Sequence, residues 1–196
     1  MGMSLLNMAY SLYGISVVAG TSISSTVMNL ANIAFIAFGG SIGIIIGKLL
    51  GANKFEEAID TDRKLIAFSA FCSVVIGVFV FIIGDKIPNL YNTSEEAKAL
   101  AGYFIRTCAL FIPVHSFANS AYFTIRSGGK TLVTFLMDSV FIMFVSVPFA
   151  FSFYYIFDLP IRTTFFLVQC IDIMKVIIGL TLVKKRVWVN NIVGSN

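Results

Sequence analysis

Charged side chains are scarce in this chain. They make up 12% of its 196 residues, whereas a soluble domain carries about 25%. Residues 1–47 contain no Asp, Glu, Lys, Arg or His at all, and 58% of the whole chain is hydrophobic. A chain with so little charge lacks the polar surface of a soluble fold. The composition therefore predicts an all-α bundle of transmembrane helices.

Cysteine and histidine are too few and too scattered for a metal or redox centre. Cys72, Cys108 and Cys170 each lie inside an apolar run, and no two of them form a CxxC pair. We interpret them as small apolar residues and expect no metal. The net charge of +4 comes from basic residues that lie between apolar runs. That distribution is typical of membrane topology and excludes a nucleic-acid-binding patch.

Apolar runs of about 20 residues, the length that crosses the hydrocarbon core, predict six helices in one transmembrane lobe over residues 1–187. The helices are predicted at about 3–20, 24–49, 65–84, 97–125, 131–157 and 161–183. The weakly polar stretch at Thr21–Thr26 is predicted to be the first turn. Residues 48–64 hold eight charged residues and are predicted to form a wet loop.

The basic residues predict which side of the membrane holds the chain ends. Nine of them follow predicted helices 2, 4 and 6, and three lie in the loops on the other face. By the positive-inside rule both termini, including a tail at 188–196, are expected in the cytoplasm. We expect a multi-pass protein of the cell (plasma) membrane, with Trp188 at headgroup depth on the inner side.

A stripe of glycines marks one face of predicted helix 2. Gly39, Gly43, Gly47 and Gly51 recur every four residues, so they share a face that lets another backbone approach closely. We expect this stripe to pack inside the bundle, and a dimer interface is the alternative. Either arrangement would bury helix 2 against protein.

Three ionisable residues at membrane depth are the candidates for ion or proton coupling. His115, Asp138 and Asp172 lie well inside predicted helices 4, 5 and 6, where each such group costs about 2.5–3.5 kcal/mol to insert. Asp172 and Lys175 are three residues apart, so they can neutralise each other on one helix face. A transport role for this pair is the alternative to structural pairing.

His115 is the one side chain here with an unperturbed pKa near neutrality. Pro113, two residues earlier, lacks the N–H that would bond to the carbonyl of Ala109, which weakens the helix locally. A titratable group beside a weakened helix favours a gated, proton-sensitive site, while a purely structural role stays open. Candidate cavity-lining residues, which could equally be interhelical contacts, are Asn29, Asn32, Asn119, Gln169 and Lys175.

One pattern resembles an enzyme motif. Gly39–Gly43 reads G-x-S-x-G around Ser41, and with His115 it would suit an intramembrane serine protease of the rhomboid kind. The motif has its mechanical meaning at a strand-to-helix turn, whereas here it lies within a glycine-rich predicted helix. We therefore interpret the chain as a non-enzyme and keep the protease as an alternative.

Three segments, in order along the chain, resemble one family. Gly43–Ala58 resembles the cytoplasmic end of a helix and the loop after it in multidrug and toxic compound extrusion (MATE) transporters. Ile125–Thr131 resembles their LRAGGDTR-like turn, and Phe135–Asp138 continues that pattern. Asp172–Gly179 is similar to the last helix of the same family.

The resemblance implies twelve helices in two six-helix lobes around a central cavity, of which this chain is the C-terminal lobe. It implies export of cationic or aromatic compounds, driven by entry of sodium ions or protons and without a further cofactor. It also implies carboxylates on the first and fourth helices of this lobe in some members. Here the first helix has none and His115 takes the fourth-helix position, which favours a proton-linked role for His115 or Asp138.

Some alternatives remain at the level of the sequence. The second lobe would be a missing N-terminal half, a separate chain or a second copy of this one. A lipid-linked saccharide flippase of the same superfamily is the alternative within transport, although such proteins have a more cationic cavity. A truncated, inactive product is a third possibility.

Overall fold

The computed structural model describes residues 2–189, and within them the chain forms six helices and no strand, which confirms the all-α fold. The helices are α1 Gly2–Ser11, α2 Ile15–Gly51, α3 Phe55–Ile83, α4 Glu95–Ser127, α5 Thr131–Tyr155 and α6 Ile161–Lys184. One short 3-10 turn, Ile87–Leu90, lies between α3 and α4. Five of these helices, α2 to α6, are long and apolar enough to cross a membrane.

The break between the first two helices differs from the prediction. The chain turns just before Ile15, where Gly14 has a φ of 113° that favours glycine. Helix α2 then continues through the predicted turn, because Thr21 and Thr26 donate their hydroxyls to carbonyls of the preceding helical turn at 3.0 Å. Helix α1 has ten residues, about 15 Å, so it cannot cross the membrane alone.

The predicted wet loop at residues 48–64 is wrong. Helix α2 ends at Gly51 and α3 starts at Phe55, so the turn between them is three residues long. Most of the charged residues lie within α2 or α3. Lys54, the residue before α3, pairs with Glu57 at 3.0 Å, and Lys64 pairs with Asp60 at 2.6 Å. These i, i+3 and i, i+4 pairs allow a charged sequence to stay helical.

Helix α4 lies at the centre of the lobe. Sixty-one per cent of its apolar window is buried, against 17–28% for the other four spans. One side of α4 packs through Ile105 and Ile112 against Phe35 of α2 and Val80 of α3. Another side packs through Phe104, whose ring centroid lies 4.3 Å from that of Phe165 on α6.

The outer surface of the bundle is apolar. Large side chains of α3 are more than half exposed at helical spacing, including Phe68, Phe71, Val75, Phe79 and Ile82. A surface of this kind on a water-soluble protein would drive aggregation, whereas in a bilayer it contacts lipid. The multi-pass membrane assignment therefore rests on an observed surface as well as on composition.

The glycine stripe of α2 packs over half its length. A Cβ at Gly39 would collide with the ring of Phe123, and one at Gly43 would lie 3.5 Å from that ring. Gly47 has no heavy atom within 4 Å of a Cβ, and Gly51 is exposed. The predicted burial of the whole stripe is therefore wrong for its second half, because α4 ends before it reaches these two residues.

Trp188 lies inside the fold, and its predicted position at headgroup depth stays a prediction. It is 1% exposed and packs with Ile42, Ile46 and Leu50 of α2, and its Nε1 donates to the carbonyl of Val183 at 3.3 Å. The segment after α6 therefore folds back under the bundle. The rest of the predicted tail, 190–196, lies outside the described residues.

Replacing Gly39 by valine should lower the melting temperature, because the new side chain would displace the ring of Phe123. Overpacking of this kind costs about 1–3 kcal/mol, or roughly 2–10 °C for a chain of this length. Gly47→Val is the matched control, since that position is open. Thermal unfolding of both variants in detergent measures the difference, and equal shifts would contradict the packing described here.

Candidate functional site

A polar layer joins α4 and α6 in the middle of the bundle. His115 lies on α4, and Gln169, Asp172 and Lys175 lie on successive turns of α6, where the i, i+3 spacing puts them on one face. Lys175 Nζ lies 2.8 Å from Asp172 Oδ1, and both side chains are more than four-fifths buried. The pairing that the spacing predicts is therefore present.

A line of neutral polar groups lies beside this ion pair. Cys108 and His115 are seven residues apart on α4, so they lie on the same side of that helix. The amide Nε2 of Gln169 donates to Cys108 Sγ at 3.1 Å. Cys108 is therefore a polar partner, and not the isolated apolar residue that the sequence predicted.

The line continues onto α2. Ser24 Oγ lies 3.9 Å from Cys108 Sγ, and both groups are buried. Sequence reasoning missed Ser24, because it lies in the weakly polar stretch Thr21–Thr26 that was predicted to be a turn. The resulting path of polar atoms crosses three helices from Ser24 through Cys108 and Gln169 to the Asp172–Lys175 pair.

Asp138 lies apart from this layer, in a cavity of about 370 Å³ between α4 and α5. In the described part of the chain its carboxylate has no ion pair within 4 Å. The cavity is lined by Asn119, Tyr122, Phe123, Arg126, Thr131, Thr134, Phe135, Asp138 and Ser139. Asn119 and Asp138 therefore share one cavity.

Tyr122 borders the cavity from α4. Its hydroxyl donates to the carbonyl of Met137, the residue before Asp138, at 3.5 Å. Nothing in the sequence singled out Tyr122, although its spacing of seven residues from His115 places the two on the same side of α4.

Helix α5 is locally widened where Asp138 lies. Residues Leu136–Val140 and Ile142–Ser146 form π-helical turns, and Pro148 follows them. Proline removes one backbone donor, and π-turns inside helices often occur at functional sites. Asp138 lies within this segment, is exposed, and borders the cavity.

Asn29 and Asn32 belong to a different surface. Both are exposed on α2 and lie outside the cavity and the polar layer. They share their face with three further exposed polar residues, Ser22, Ser25 and Thr26. Their predicted role as lining of a cavity between two lobes stays a prediction, because this face of α2 lies on the outer surface of the lobe.

A second polar network joins α3 to α4 near the charged end of the bundle. Asp62, which the sequence placed in a wet loop, is 1% exposed and accepts a hydrogen bond from Thr124 at 2.6 Å. Ser120 donates to Ser69 at 3.1 Å, and Ser69 lies 3.0 Å from Ser116. These hydroxyls occupy a different face of α4 from His115.

Ser41 has a helical environment. It lies inside the continuous helix α2, is exposed, and donates its hydroxyl to the carbonyl of Ala37 at 2.9 Å. The structure places no strand-to-helix turn around it, and its hydrogen bond goes to the backbone and not to His115. This geometry does not favour the protease interpretation.

Comparison with known proteins gives one family and one fold. The family model MatE matches residues 1–156, and comparison with curated proteins gives no match. A solved structure described as a MOP superfamily transporter from Pyrococcus furiosus Vc1 superposes with a TM-score of 0.84 at 17% identity. The superposition covers 98% of this chain but 44% of that transporter, so the chain spans less than half of its length.

Replacing Lys175 by methionine should destabilise the chain strongly, because Asp172 would keep a charge without its partner. Breaking a buried pair costs about 3–5 kcal/mol, whereas replacing both members is close to neutral. The double variant Asp172→Asn/Lys175→Met should therefore recover most of the loss.

Chemical or thermal unfolding in detergent near pH 7 measures these differences. Lys98→Met is the control, because Lys98 pairs at 2.8 Å with Glu95, whose side chain is 88% exposed, and such surface pairs contribute about 0–1 kcal/mol. Equal losses of stability in both lysine variants would contradict the expected cost of breaking the buried pair.

Proposed function

The chain belongs to the MatE family of membrane transporters, and on that premise we propose that it is one lobe of a proton-coupled efflux antiporter. The observation that carries the proposal is the buried Asp172–Lys175 pair on α6, whose polar face meets the side of α4 that carries Cys108 and His115. Buried ionisable groups in membrane helices are costly and typically mark ion pathways. The cargo would be a cationic or aromatic compound.

The coupling step depends on the charge balance around Asp172. When His115 is neutral, Asp172 has one cationic partner, Lys175, at 2.8 Å. A proton on His115 would add a second cation beside the same carboxylate, in a region of low dielectric where charges interact strongly. The layer would then carry a net positive charge, which favours a different packing of α6 against α4.

A proton fits this arrangement better than a sodium ion. Sodium requires several oxygen ligands converging on one point, whereas the layer offers Asp172 already bound to Lys175 and a nitrogen donor, His115. Helix α1 contributes no carboxylate. The proposal therefore assigns proton coupling to His115 with Asp138 as the second titratable group.

The cavity at Asp138 is chemically suited to cationic aromatic compounds. Tyr122, Phe123 and Phe135 supply ring faces, which attract cations and stack on aromatic groups. Asp138 supplies a carboxylate without an ion-pair partner, and Arg126 at the same cavity limits the net charge. The lining lacks the excess of cations expected of a lipid-linked saccharide flippase.

A second lobe would complete the transport path. The exposed polar face of α2, which carries Ser22, Ser25, Thr26, Asn29 and Asn32, lies on a helix that crosses the membrane. Polar groups on a lipid-facing surface are costly, so such faces normally adjoin protein or a water-filled cavity. We assign this face to a hydrated cleft between two lobes.

Replacing His115 by glutamine, or Asp138 by asparagine, should reduce proton-driven efflux roughly 5–150-fold, the usual range for coupling between two sites. The assay uses proteoliposomes with this chain and the lobe that completes it, loaded with a fluorescent aromatic cation. A pH gradient should drive transport in the unmodified protein, and an equal sodium gradient should not.

Ser41→Ala is the matched control for this assay. Its hydroxyl bonds to its own helix at 2.9 Å, so its removal should leave efflux unchanged, whereas a serine protease would lose all activity. Sodium-driven transport, or full pH-driven transport by both His115→Gln and Asp138→Asn, would overturn the proposed coupling.

Cysteines placed on the polar face of α2 should react with a charged, membrane-impermeant thiol reagent. Ser25→Cys and Asn29→Cys are the test variants, and Phe71→Cys on lipid-facing α3 is the control. In the assembled transporter within liposomes, the α2 cysteines should react several times faster than the control cysteine. The labelling of the three native thiols in the unmodified protein is subtracted as background. Equal, slow labelling of all three would place the α2 face in lipid.

A further inference from the structure

A groove opens between α3 and α6, over one side of α4. Both outer helices pack on α4, and Phe117 of α4 forms part of the floor between them. The groove has a volume of about 480 Å³, within the usual range of about 300–1,000 Å³ for small-molecule sites. Its apolar wall is formed by Ile66, Ala67, Ala70, Phe117, Leu180 and Val183.

The depth of this groove in the membrane follows from α3. Its uncharged run from Leu65 to Ile83 is 19 residues long, about 28 Å at 1.5 Å per residue, which matches the hydrocarbon thickness of about 30 Å. Arg63 therefore lies at the boundary with the headgroups. Ile66, Ala67 and Ala70 lie just inside the hydrocarbon.

The rim of the groove is basic. Arg63 of α3, Lys184 of α6 and Arg186 beyond α6 all border it. Arg186 lies 3.5 Å from the exposed carboxylate of Glu56, whereas Arg63 and Lys184 have no ion pair within 4 Å in the described chain. Two cations at headgroup depth are thus available to an anion.

One carboxylate also borders the groove. Asp62 is 1% exposed and accepts the hydroxyl of Thr124 at 2.6 Å, so it points towards α4 and is largely screened from an occupant. Arg63 lies next to it in sequence and is exposed. The charge that the groove presents to the membrane surface is therefore positive.

The basic rim is held in place by packing. Trp188, 1% exposed, anchors the chain after α6 under α2, and Arg186 adopts a φ of 54° just before it. The carbonyl of Trp188 lies against Gly128, where a Cβ would collide with it. The packing of Trp188 therefore holds Arg186 beside Lys184 at the rim of the groove.

We propose that this basic-rimmed groove binds an anionic phospholipid, with one acyl chain along the apolar wall and the phosphate at Arg63 and Lys184. Basic pockets between membrane helices at headgroup depth bind anionic lipid headgroups. The apolar wall excludes a purely surface-bound anion, and the basic rim selects against neutral lipids. The site is separate from His115 and Asp138, so the lipid would be a bound component and not the cargo.

The test is native mass spectrometry of the purified, delipidated chain with increasing phosphatidylglycerol or phosphatidylcholine of equal chain length. One phosphatidylglycerol should bind preferentially and raise the melting temperature. The double variant Arg63→Gln/Lys184→Gln should weaken this binding about 30-fold, the loss expected from two basic residues at an anionic headgroup. Lys48→Gln/Lys130→Gln removes the same charge at exposed positions outside the groove and should have little effect.

A second variant tests the apolar half of the site. Ala70→Phe fills the wall of the groove and keeps both cations, so it should also abolish the preferential adduct. Inorganic phosphate should not stabilise the chain, because it cannot occupy the wall. Equal binding of the two lipids, full binding by Ala70→Phe, equal losses in both charge variants, or stabilisation by phosphate alone would each overturn the proposal.

Discussion

Polar groups that enter the hydrocarbon of a bilayer are costly unless they meet protein partners or water, and this requirement organises the lobe around α4. Helical hydrogen bonds satisfy the backbone, which leaves the polar side chains to be paired. Helix α4 carries them on two faces: Cys108 and His115 turn towards α6, and Ser116 and Ser120 turn towards α3. The most buried helix is therefore also the helix that joins the others through polar contacts.

The features that the sequence predicted well are local ones. The lengths of the apolar runs predict the later helices, with ends that agree within a few residues for α5 and α6. The i, i+3 spacing predicts the contact of Asp172 with Lys175, because both residues belong to one helix. Counting residues along α4 places His115 at mid-depth in the same way, and that position stays a prediction.

The features that were missed depend on contacts between distant parts of the chain. Trp188 was predicted from the sequence to be an interfacial residue, and its burial results from the chain after α6 folding back to α2. Asp62 was predicted to lie in a loop, but it is helical and accepts a hydrogen bond from Thr124 of another helix. Cys108 gains its polar role from Gln169, 61 positions away. Periodicity and composition carry no information on such pairs.

The length of α2 has a mechanical consequence. Its 37 residues form one uninterrupted helix of about 55 Å, nearly twice the thickness of the hydrocarbon core. A tilt of such a rigid helix about the contact of Gly39 with Phe123 would move its two ends in opposite directions. A cleft beside α2 would then narrow at one aqueous surface and widen at the other.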